Sequence, residues 1–362
     1  MQNKLEFIDS LRGFAILIVI MIHVAQNVPD FPYFPLRGVT LFYLVSAFTL
    51  FLSLYRREGK GESLSSFYLR RFFRIAPLYY LALIVYLLVN GLGPRYWLGD
   101  QENVTLLNIL SHITFINGFN PYWINSIIGV EWSIAIEMTF YAFVPLLYAK
   151  IKNVRQSIIF VILSMIVCYG LGTILSKFSP IGSEQLWKNY LYLWLPNQLP
   201  VFALGILLFF LWKRDNENKT PTKTQRILIF SLVAFVSLVL AYLGNKTTIV
   251  AVTFLVFSYV LSKRKLILFV NKFWSSIGKI SYSMYLVHFL VIEQIVALGV
   301  GNQMEVHLRF ILLYTLTIAI TVAISMVTYR YVEQPSIDWS RKIGHKYQRK
   351  TKVLPGDSVA KA

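Results

Sequence analysis

The first apolar stretch of this sequence contains two side chains that could do chemistry, Arg12 and His23. They are eleven residues apart, almost three turns of an α-helix, so both would lie on one helical face, about 16–17 Å apart along the axis. Imidazole can act as a general base near neutral pH, and guanidinium binds anions. A structural alternative fits equally well: His23 would hydrogen-bond a neighbouring helix, and Arg12 would mark the cytoplasmic end of the stretch.

Two carboxylates flank Trp132 in another apolar stretch, Glu131 and Glu137. If this stretch enters the bilayer as a helix near residue 126, the carboxylates lie about 8 and 16 Å deep, bracketing the depth of His23. A carboxylate beside an imidazole fixes its tautomer and raises its basicity, so we expect Glu137 to orient His23. The alternative for both carboxylates is an interhelical structural bond, and contact with water is a further alternative for Glu131.

A second histidine, His288, occurs five residues after Ser283 in a later apolar stretch. If that stretch is a membrane helix, His288 lies about 12 Å from its inner end. His288 could therefore line the same cavity as His23. A histidine buried in the core and hydrogen-bonded to a serine is equally compatible with the pattern.

An arginine cluster precedes Pro77, and its members Arg71 and Arg74 are three residues apart. This spacing puts both on one helical face, which suits a multiply charged anion such as a phosphate. Glu333, near the end of the last apolar stretch, is predicted to lie at the same level. The alternative is a cluster that obeys the positive-inside rule and faces lipid head groups.

The amino-acid composition indicates that these residues belong to a membrane protein. Hydrophobic residues make up 56% of the 362 residues and charged ones only 14%, against roughly a quarter charged in a soluble domain. The net charge of +18 comes from short Lys and Arg clusters between apolar runs, which argues against a nucleic-acid binder. Walker, GxSxG, HExxH and CxxC motifs are missing from the sequence, so we expect neither an ATP-driven pump, a serine hydrolase nor a metal site.

Apolar stretches of about 17 to 25 residues predict an all-α membrane helix bundle with about ten transmembrane helices. The ten lie near 11–28, 37–55, 75–92, 126–149, 157–175, 195–212, 227–243, 247–262, 280–300 and 308–332. A shorter apolar run, Val104 to Phe115, predicts an interfacial or re-entrant helix because it is too short to cross.

The distribution of basic residues predicts that both termini are cytoplasmic. With the N-terminus inside, 29 of the 35 Lys and Arg residues fall in inside segments, as the positive-inside rule requires. Residues 1–335 would form the membrane domain. Residues 336–362 are basic and polar without an apolar period, and we predict a cytoplasmic tail that lies against anionic lipid.

Taken together, these residues resemble the acyltransferase-3 family of membrane-bound acyltransferases along nearly the whole chain. The most specific mark is Arg12 followed after ten residues by His23. The other marks recur in order: Gly38-Val39 through Ser46-Ala47-Phe48, Arg71 and Arg74 before Pro77, Trp132-Ser133 with Glu137 and Tyr141, Ser281-Tyr282-Ser283 with His288, and Glu333 with Pro335. The sequence departs from the family at Ala47, where glycine is common, and at Phe289-Leu290, near which a proline often occurs. Neither departure removes a chemical group.

The resemblance implies a multi-pass protein of the bacterial cytoplasmic membrane that transfers an acyl group, most commonly acetyl, from cytoplasmic acyl-CoA to a hydroxyl of a surface polysaccharide or glycolipid. Each site residue then receives an expected role. Arg12, Arg71 and Arg74 would hold the CoA phosphates, and His23 would act as general base or carry the acyl group transiently. Glu137 would orient His23, while the supporting residues would shape the cavity and steady the arginines: Trp132, Ser283, His288 and Glu333.

Many larger relatives carry a fused SGNH-type esterase domain. This chain resembles the stand-alone members, so any second transferase in the periplasm or outside the cell would be another chain.

Two other classes of function fit the residues without the resemblance. Buried His, Glu and Arg also build proton relays and substrate paths, so a glycan transporter or flippase is the main alternative. A membrane scaffold without chemistry is the third. Covalent incorporation of label from acyl-CoA into a glycan distinguishes an acyltransferase from both.

Overall fold

The structure, a computed structural model, describes residues 5–32, 37–58, 63–99, 103–217, 246–264 and 266–352. Within these ranges the regular elements are helices, and no strand forms. In chain order the α-helices are α1 (Glu6–Gln26), α2 (Gly38–Glu58), α3 (Leu64–Asn90), α4 (Leu106–Ile113), α5 (Trp132–Lys150), α6 (Val154–Leu175), α7 (Glu184–Leu193), α8 (Leu195–Asn216), α9 (Lys246–Lys263), α10 (Lys272–Lys279), α11 (Ser281–Ala297), α12 (Val306–Thr328) and α13 (Gln334–Lys352). A π-helical turn, Tyr329–Glu333, joins α12 to α13.

The apolar helices confirm the predicted all-α membrane bundle. Seven helical segments among the described residues are long and apolar enough to cross a bilayer. The pair α10 and α11, bent by 70°, is an eighth candidate, and α9 is a shorter apolar helix. The predicted span 227–243 lies outside the described residues, and the other nine coincide with helices. The number of spans and their orientation stay predictions.

Helix α2 lies at the centre of the bundle, whereas α6 lies at its edge. In the apolar part of α2, 72% of the residues are buried by protein, against 22% in α6. The difference matters because lipid is as apolar as a leucine side chain, so helices in a bilayer associate through close packing rather than through hydrophobic burial. The central helices are therefore the ones that need tight crossings.

Glycines provide two of these crossings. Gly205 in α8 faces the carbonyl of Leu44 in α2, and Gly278 in α10 faces the carbonyl of Asp9 in α1. A Cβ atom at either glycine would overlap the facing carbonyl oxygen, so only a residue without a side chain allows the backbones to approach so closely. The contact of α10 with α1 fixes the position of Asp9 and, one turn later, Arg12.

The short helix α4 buries polar side chains and exposes apolar ones, the opposite of a helix on the surface of a water-soluble protein. It buries Asn108 and His112, and it exposes Leu106 and Leu110 with 71% and 45% of their surface accessible. An apolar outer face and a polar inner face are what a helix needs when lipid surrounds it. The predicted short helix between Val104 and Phe115 is confirmed, and its eight residues are too few to cross.

The segment predicted as a basic tail begins with a helix. Helix α13 packs against α3, and the ring of Trp339 meets the ring of Phe73 edge-on with 4.6 Å between centroids. This contact explains regular structure in a polar segment, because an aromatic anchor ties it to the bundle. Residues 353–362 lie outside the described residues.

Replacing Gly278 with alanine should destabilise the protein, since the added methyl group would overlap the Asp9 carbonyl and push α10 away from α1. Overpacking of this kind costs about 1–3 kcal/mol. Gly172→Ala in α6 is the matched control, because nothing lies within 4 Å of a Cβ atom there. We expect a lower midpoint of thermal unfolding in detergent for Gly278→Ala only. Equal midpoints for the two variants would contradict the close crossing.

Candidate active site

Arginines from four helices line two adjoining cavities at the end of the bundle where α1 begins. Four of them line both cavities and are called here the arginine mouth: Arg12, Arg57, Arg71 and Arg74. The cavity volumes are about 410 and 350 Å³. In the larger cavity, which Arg56 also lines, Asp9 is the only acidic residue among the described lining residues. Such an excess of positive charge suits a polyanionic ligand.

Neighbouring side chains hold two members of the arginine mouth in place. Arg12 donates to Asp9 Oδ1 over 3.5 Å and to Thr49 Oγ1 over 3.4 Å. The guanidinium of Arg71 lies 5.9 Å from the centre of the Tyr141 ring. Because a guanidinium has five N–H donors, these contacts orient the arginines and leave donors for a ligand.

A narrower cavity, called here the inner chamber, lies beside the arginine mouth and deeper in the bundle. Its volume is about 80 Å³, enough for several water molecules. Arg12, Arg71 and Arg74 line both spaces, so the two adjoin. The remaining lining residues are Val39, Phe42, Tyr43, Ser46, Thr49, Ile75, Ser133, Ile134, Glu137, Tyr141, Ser281, Tyr282 and Tyr285.

Glu137 belongs to the inner chamber and not to the surroundings of His23. It accepts hydrogen bonds from Ser46 Oγ and from the hydroxyl of Tyr141, the latter over 2.6 Å. Among the described residues, no hydrogen bond joins Glu137 to His23. The expected pairing is absent because α5 presents Glu137 to α2 and the arginine mouth, whereas His23 faces α11.

His23 pairs instead with His288. The distance from His23 Nδ1 to His288 Nε2 is 2.8 Å, and His288 Nδ1 lies 3.2 Å from the carbonyl oxygen of Met284. His288 is fully buried, whereas His23 is partly exposed. Phe289 packs edge-on against His23, with 5.6 Å between ring centroids. The structure thus brings together the two histidines that the sequence placed at similar depth.

Tyr285 lies between the inner chamber and this histidine pair. It lines the chamber, and its ring centroid is 5.6 Å from that of His288. Its hydroxyl accepts a hydrogen bond from Ser133 Oγ over 2.7 Å and donates to the carbonyl of Val130 over 2.9 Å. Hydrogen bonds therefore hold the Tyr285 hydroxyl in place, while its ring packs between the inner chamber and His288.

Glu131 occupies a different environment from the one expected. Helix α5 begins at Trp132, so Glu131 precedes the helix and is fully buried rather than wet. Its carboxylate accepts the backbone N–H groups of Ile127 and Gly129, each over 2.7 Å, and lies 3.3 Å from His112 Nε2. Glu131 therefore holds a turn, and Gly129 in that turn packs against Phe289 beside His23.

The remaining predicted residues lie around these spaces. Ser283 is buried and donates to Glu333 Oε2 over 2.7 Å, and Glu333 lines the smaller cavity of the arginine mouth. Trp132 does not line the inner chamber: it packs edge-on against Tyr43, and its neighbour Ser133 lines the chamber.

Sequence reasoning missed three lining residues: Arg57, Tyr43 and Tyr285. The part of the inner chamber that α5 forms was recognisable in the sequence, because Ser133, Glu137 and Tyr141 recur every four residues and so form one polar helical face. No comparable spacing distinguishes Arg57 from an ordinary basic residue at a helix end. In the part of the chain that the structure describes, no group of three or more His, Cys, Asp or Glu side chains could hold a metal ion.

Comparison with known proteins identifies similar chains. A provisionally named O-acetyltransferase of Staphylococcus aureus strain COL is 27% identical over 92% of this chain and 58% of its own length. The O-acetyltransferase OatA of strain NCTC 8325 is 25% identical over 91% of this chain and 56% of its own length. A provisionally named acetyltransferase of Acidianus two-tailed virus is 28% identical over 81% of this chain and 85% of its own. No solved structure matches.

This chain spans little more than half the length of the staphylococcal relatives that it matches. The family model described as an acyltransferase domain covers residues 5–330, which include the arginine mouth, the inner chamber and the histidine pair. The chain therefore belongs to the acyltransferase-3 family.

Proposed function

We propose that this protein is a membrane O-acetyltransferase that moves an acetyl group from acetyl-CoA to a hydroxyl of a surface polysaccharide or glycolipid. The observation that carries the proposal is the arrangement of the cavities: the inner chamber shares three arginines with the arginine mouth, and Tyr285 of the chamber packs against the histidine pair. Family membership supports the acyl chemistry. The names of the relatives favour acetyl over a longer acyl group.

The arginine mouth is the proposed site for the phosphates of CoA. These groups carry several negative charges, and planar guanidinium groups bind phosphate oxygens with two parallel hydrogen bonds. The pantetheine arm would then extend through the inner chamber. Arg12 and His23 lie about 16–17 Å apart along α1, and this separation is of the order of that arm. Ser46, Glu137 and Tyr141 would contact the pantetheine arm. In this proposal Glu137 therefore helps to bind the donor and does not orient His23.

His23 is the proposed general base. It would take the proton of the acceptor hydroxyl while the oxygen attacks the thioester carbonyl, the C–S bond breaks and CoA leaves as a thiolate. The proton on His23 would then neutralise that thiolate. The products are an acetyl ester of the glycan and free CoA, and His23 returns to its starting state.

Sidedness and location are part of the same proposal. The arginine mouth lies at the end of the bundle where α1 begins, and the Lys and Arg distribution predicts that this end faces the cytoplasm, where acetyl-CoA is present. The acceptor would approach from the other face of a bacterial cytoplasmic membrane. A separate extracytoplasmic transferase could pass the acetyl group to its final glycan.

Removing the base tests the chemistry. In proteoliposomes supplied with [14C]acetyl-CoA and a panel of methyl glycosides, N-acetylglucosamine oligomers and bacterial surface polysaccharides, His23→Ala should lower acetyl ester formation by about 10²–10⁴-fold. His307→Ala is the matched control because His307 is exposed in the first turn of α12. Wild-type turnover of folded His23→Ala would refute the base. Export of an unlabelled glycan without ester formation would favour transport.

Neutralising the arginine mouth tests donor binding. Arg71→Gln should raise the KM for acetyl-CoA roughly 10–100-fold with little change in kcat, because a charge-assisted hydrogen bond contributes about 1.5–3 kcal/mol. The KM for acetyl-pantetheine, which has no phosphate, should stay unchanged in the same variant. Arg155→Gln at the exposed start of α6 is the control. An equal loss with both donors would contradict phosphate binding.

Sealed membrane vesicles test sidedness. Inside-out vesicles should consume added acetyl-CoA, and intact right-side-out vesicles should do so only after permeabilisation, because a charged nucleotide does not cross the bilayer. Release of CoA thiol measures the reaction. Consumption by intact right-side-out vesicles would place the arginine mouth on the opposite side.

A further inference from the structure

We propose that His288 is a positioning residue that holds His23 in the single tautomer that can accept a proton from the acceptor. This inference rests on the proposed role of His23 as general base. It assigns to a second imidazole, and through it to a backbone carbonyl, the orienting work that a carboxylate was expected to do.

The ring geometry indicates a true hydrogen bond between the two imidazoles. Their planes differ by only 11°, and their centroids are 5.1 Å apart. Because each nitrogen lies roughly 1.2 Å from its ring centre, a straight in-plane hydrogen bond of 2.8 Å predicts nearly this separation. The rings of His23 and His288 therefore meet edge to edge in one plane, and a face-to-face stack is excluded.

The direction of the proton follows from the third member of the chain. The carbonyl of Met284 can only accept, so His288 Nδ1, at 3.2 Å, must carry the proton for this contact to be favourable. A neutral imidazole has one N–H group, which leaves His288 Nε2 as an acceptor. His23 Nδ1 must then be the donor in the 2.8 Å contact. The lone pair of His23 is consequently on Nε2.

This chain of hydrogen bonds makes His23 Nε2 the basic atom. Nothing in the pairing occupies Nε2, and His23 is the partly exposed member, whereas His288 has no accessible surface. When Nε2 takes the acceptor proton, the Nδ1–H bond to His288 shares the positive charge, and the bond to the Met284 carbonyl supports it. Both protons of the resulting imidazolium are then hydrogen-bonded or transferable, and no proton is lost from the pair.

The fold keeps the pair rigid enough for this role. Tyr285 packs against His288 with 5.6 Å between ring centroids, and Phe289 contacts both histidines edge-on. Gly129, whose turn is held by Glu131, abuts the Phe289 ring. Rotation of either imidazole would disturb these contacts, so the hydrogen bond has one available geometry.

Two substitutions of His288 separate orientation from packing. His288→Leu removes the acceptor for His23 Nδ1–H, and we expect kcat for acetyl ester formation from [14C]acetyl-CoA to fall about 10–100-fold with an unchanged KM for acetyl-CoA. In His288→Gln, the amide oxygen can take the place of Nε2 as acceptor. This conservative variant should recover most of the lost turnover. Equal loss in both variants would mean that His288 only fills space.

A spectroscopic measurement tests the tautomer directly. In protein labelled with ¹⁵N-histidine, the His23 signals, assigned by their loss in His23→Ala, should report a protonated Nδ1 and a bare Nε2. In His288→Leu they should report a mixture of tautomers, and in the control His307→Leu they should not change. A protonated Nε2 in the wild-type protein would overturn the inference.

The outcomes also separate this inference from the proposed function. If His23→Ala keeps its turnover, the general base itself is wrong. If His23→Ala is inactive but His288→Leu matches the wild-type kcat and tautomer, the base stands and only the positioning role of His288 is wrong.

Discussion

Charge buried in a bilayer must be surrounded by protein or water, and this constraint organises the whole structure. A central charge costs about 2.5–3.5 kcal/mol on insertion scales. Arg12, Arg71 and Arg74 accordingly line cavities, and the histidine pair lies inside the bundle. The outer faces carry side chains such as Leu88 and Ile166, with 79% and 60% of their surface accessible. Even α4 follows the rule, since it turns His112 inward and its leucines outward.

Helices α1 and α11 connect the two ends of the site. Arg12 and His23 lie on α1, and Ser281 of the inner chamber and His288 lie on α11. Both helices run from the arginine mouth toward the histidine pair. The crossing at Gly278 ties α10, and therefore the start of α11, to α1. In the proposed mechanism, donor binding and base orientation thus depend on one packed pair of helices, so a shift at one end would displace the other.

The sequence predicted the positions of residues along the helix axes better than it predicted which helices face one another. The helical rise gave similar depths for His23, Glu137 and His288, but it could not say which helix faces α1. That choice depends on lateral packing, such as the close approach at Gly205 and Gly278, which no periodicity records. The predicted position of Glu131 within a helix was wrong for a local reason: Gly129, with φ of 90°, turns the chain before α5 begins. The Arg71 and Arg74 face was predictable because both residues belong to one helix.

The separation of the arginine mouth from the histidine pair has an electrostatic reason if the proposed function holds. Excess positive charge at the mouth is balanced when the phosphates of the donor arrive, so the charge and its counter-charge stay near the bundle end, where water reduces their cost. A carboxylate beside His23 would instead add a second buried acidic group to the fully buried Glu131. A second imidazole orients His23 without any net charge. In the proposed reaction the phosphates stay at the arginine mouth, and charge appears on His23 only while the acetyl group is being transferred.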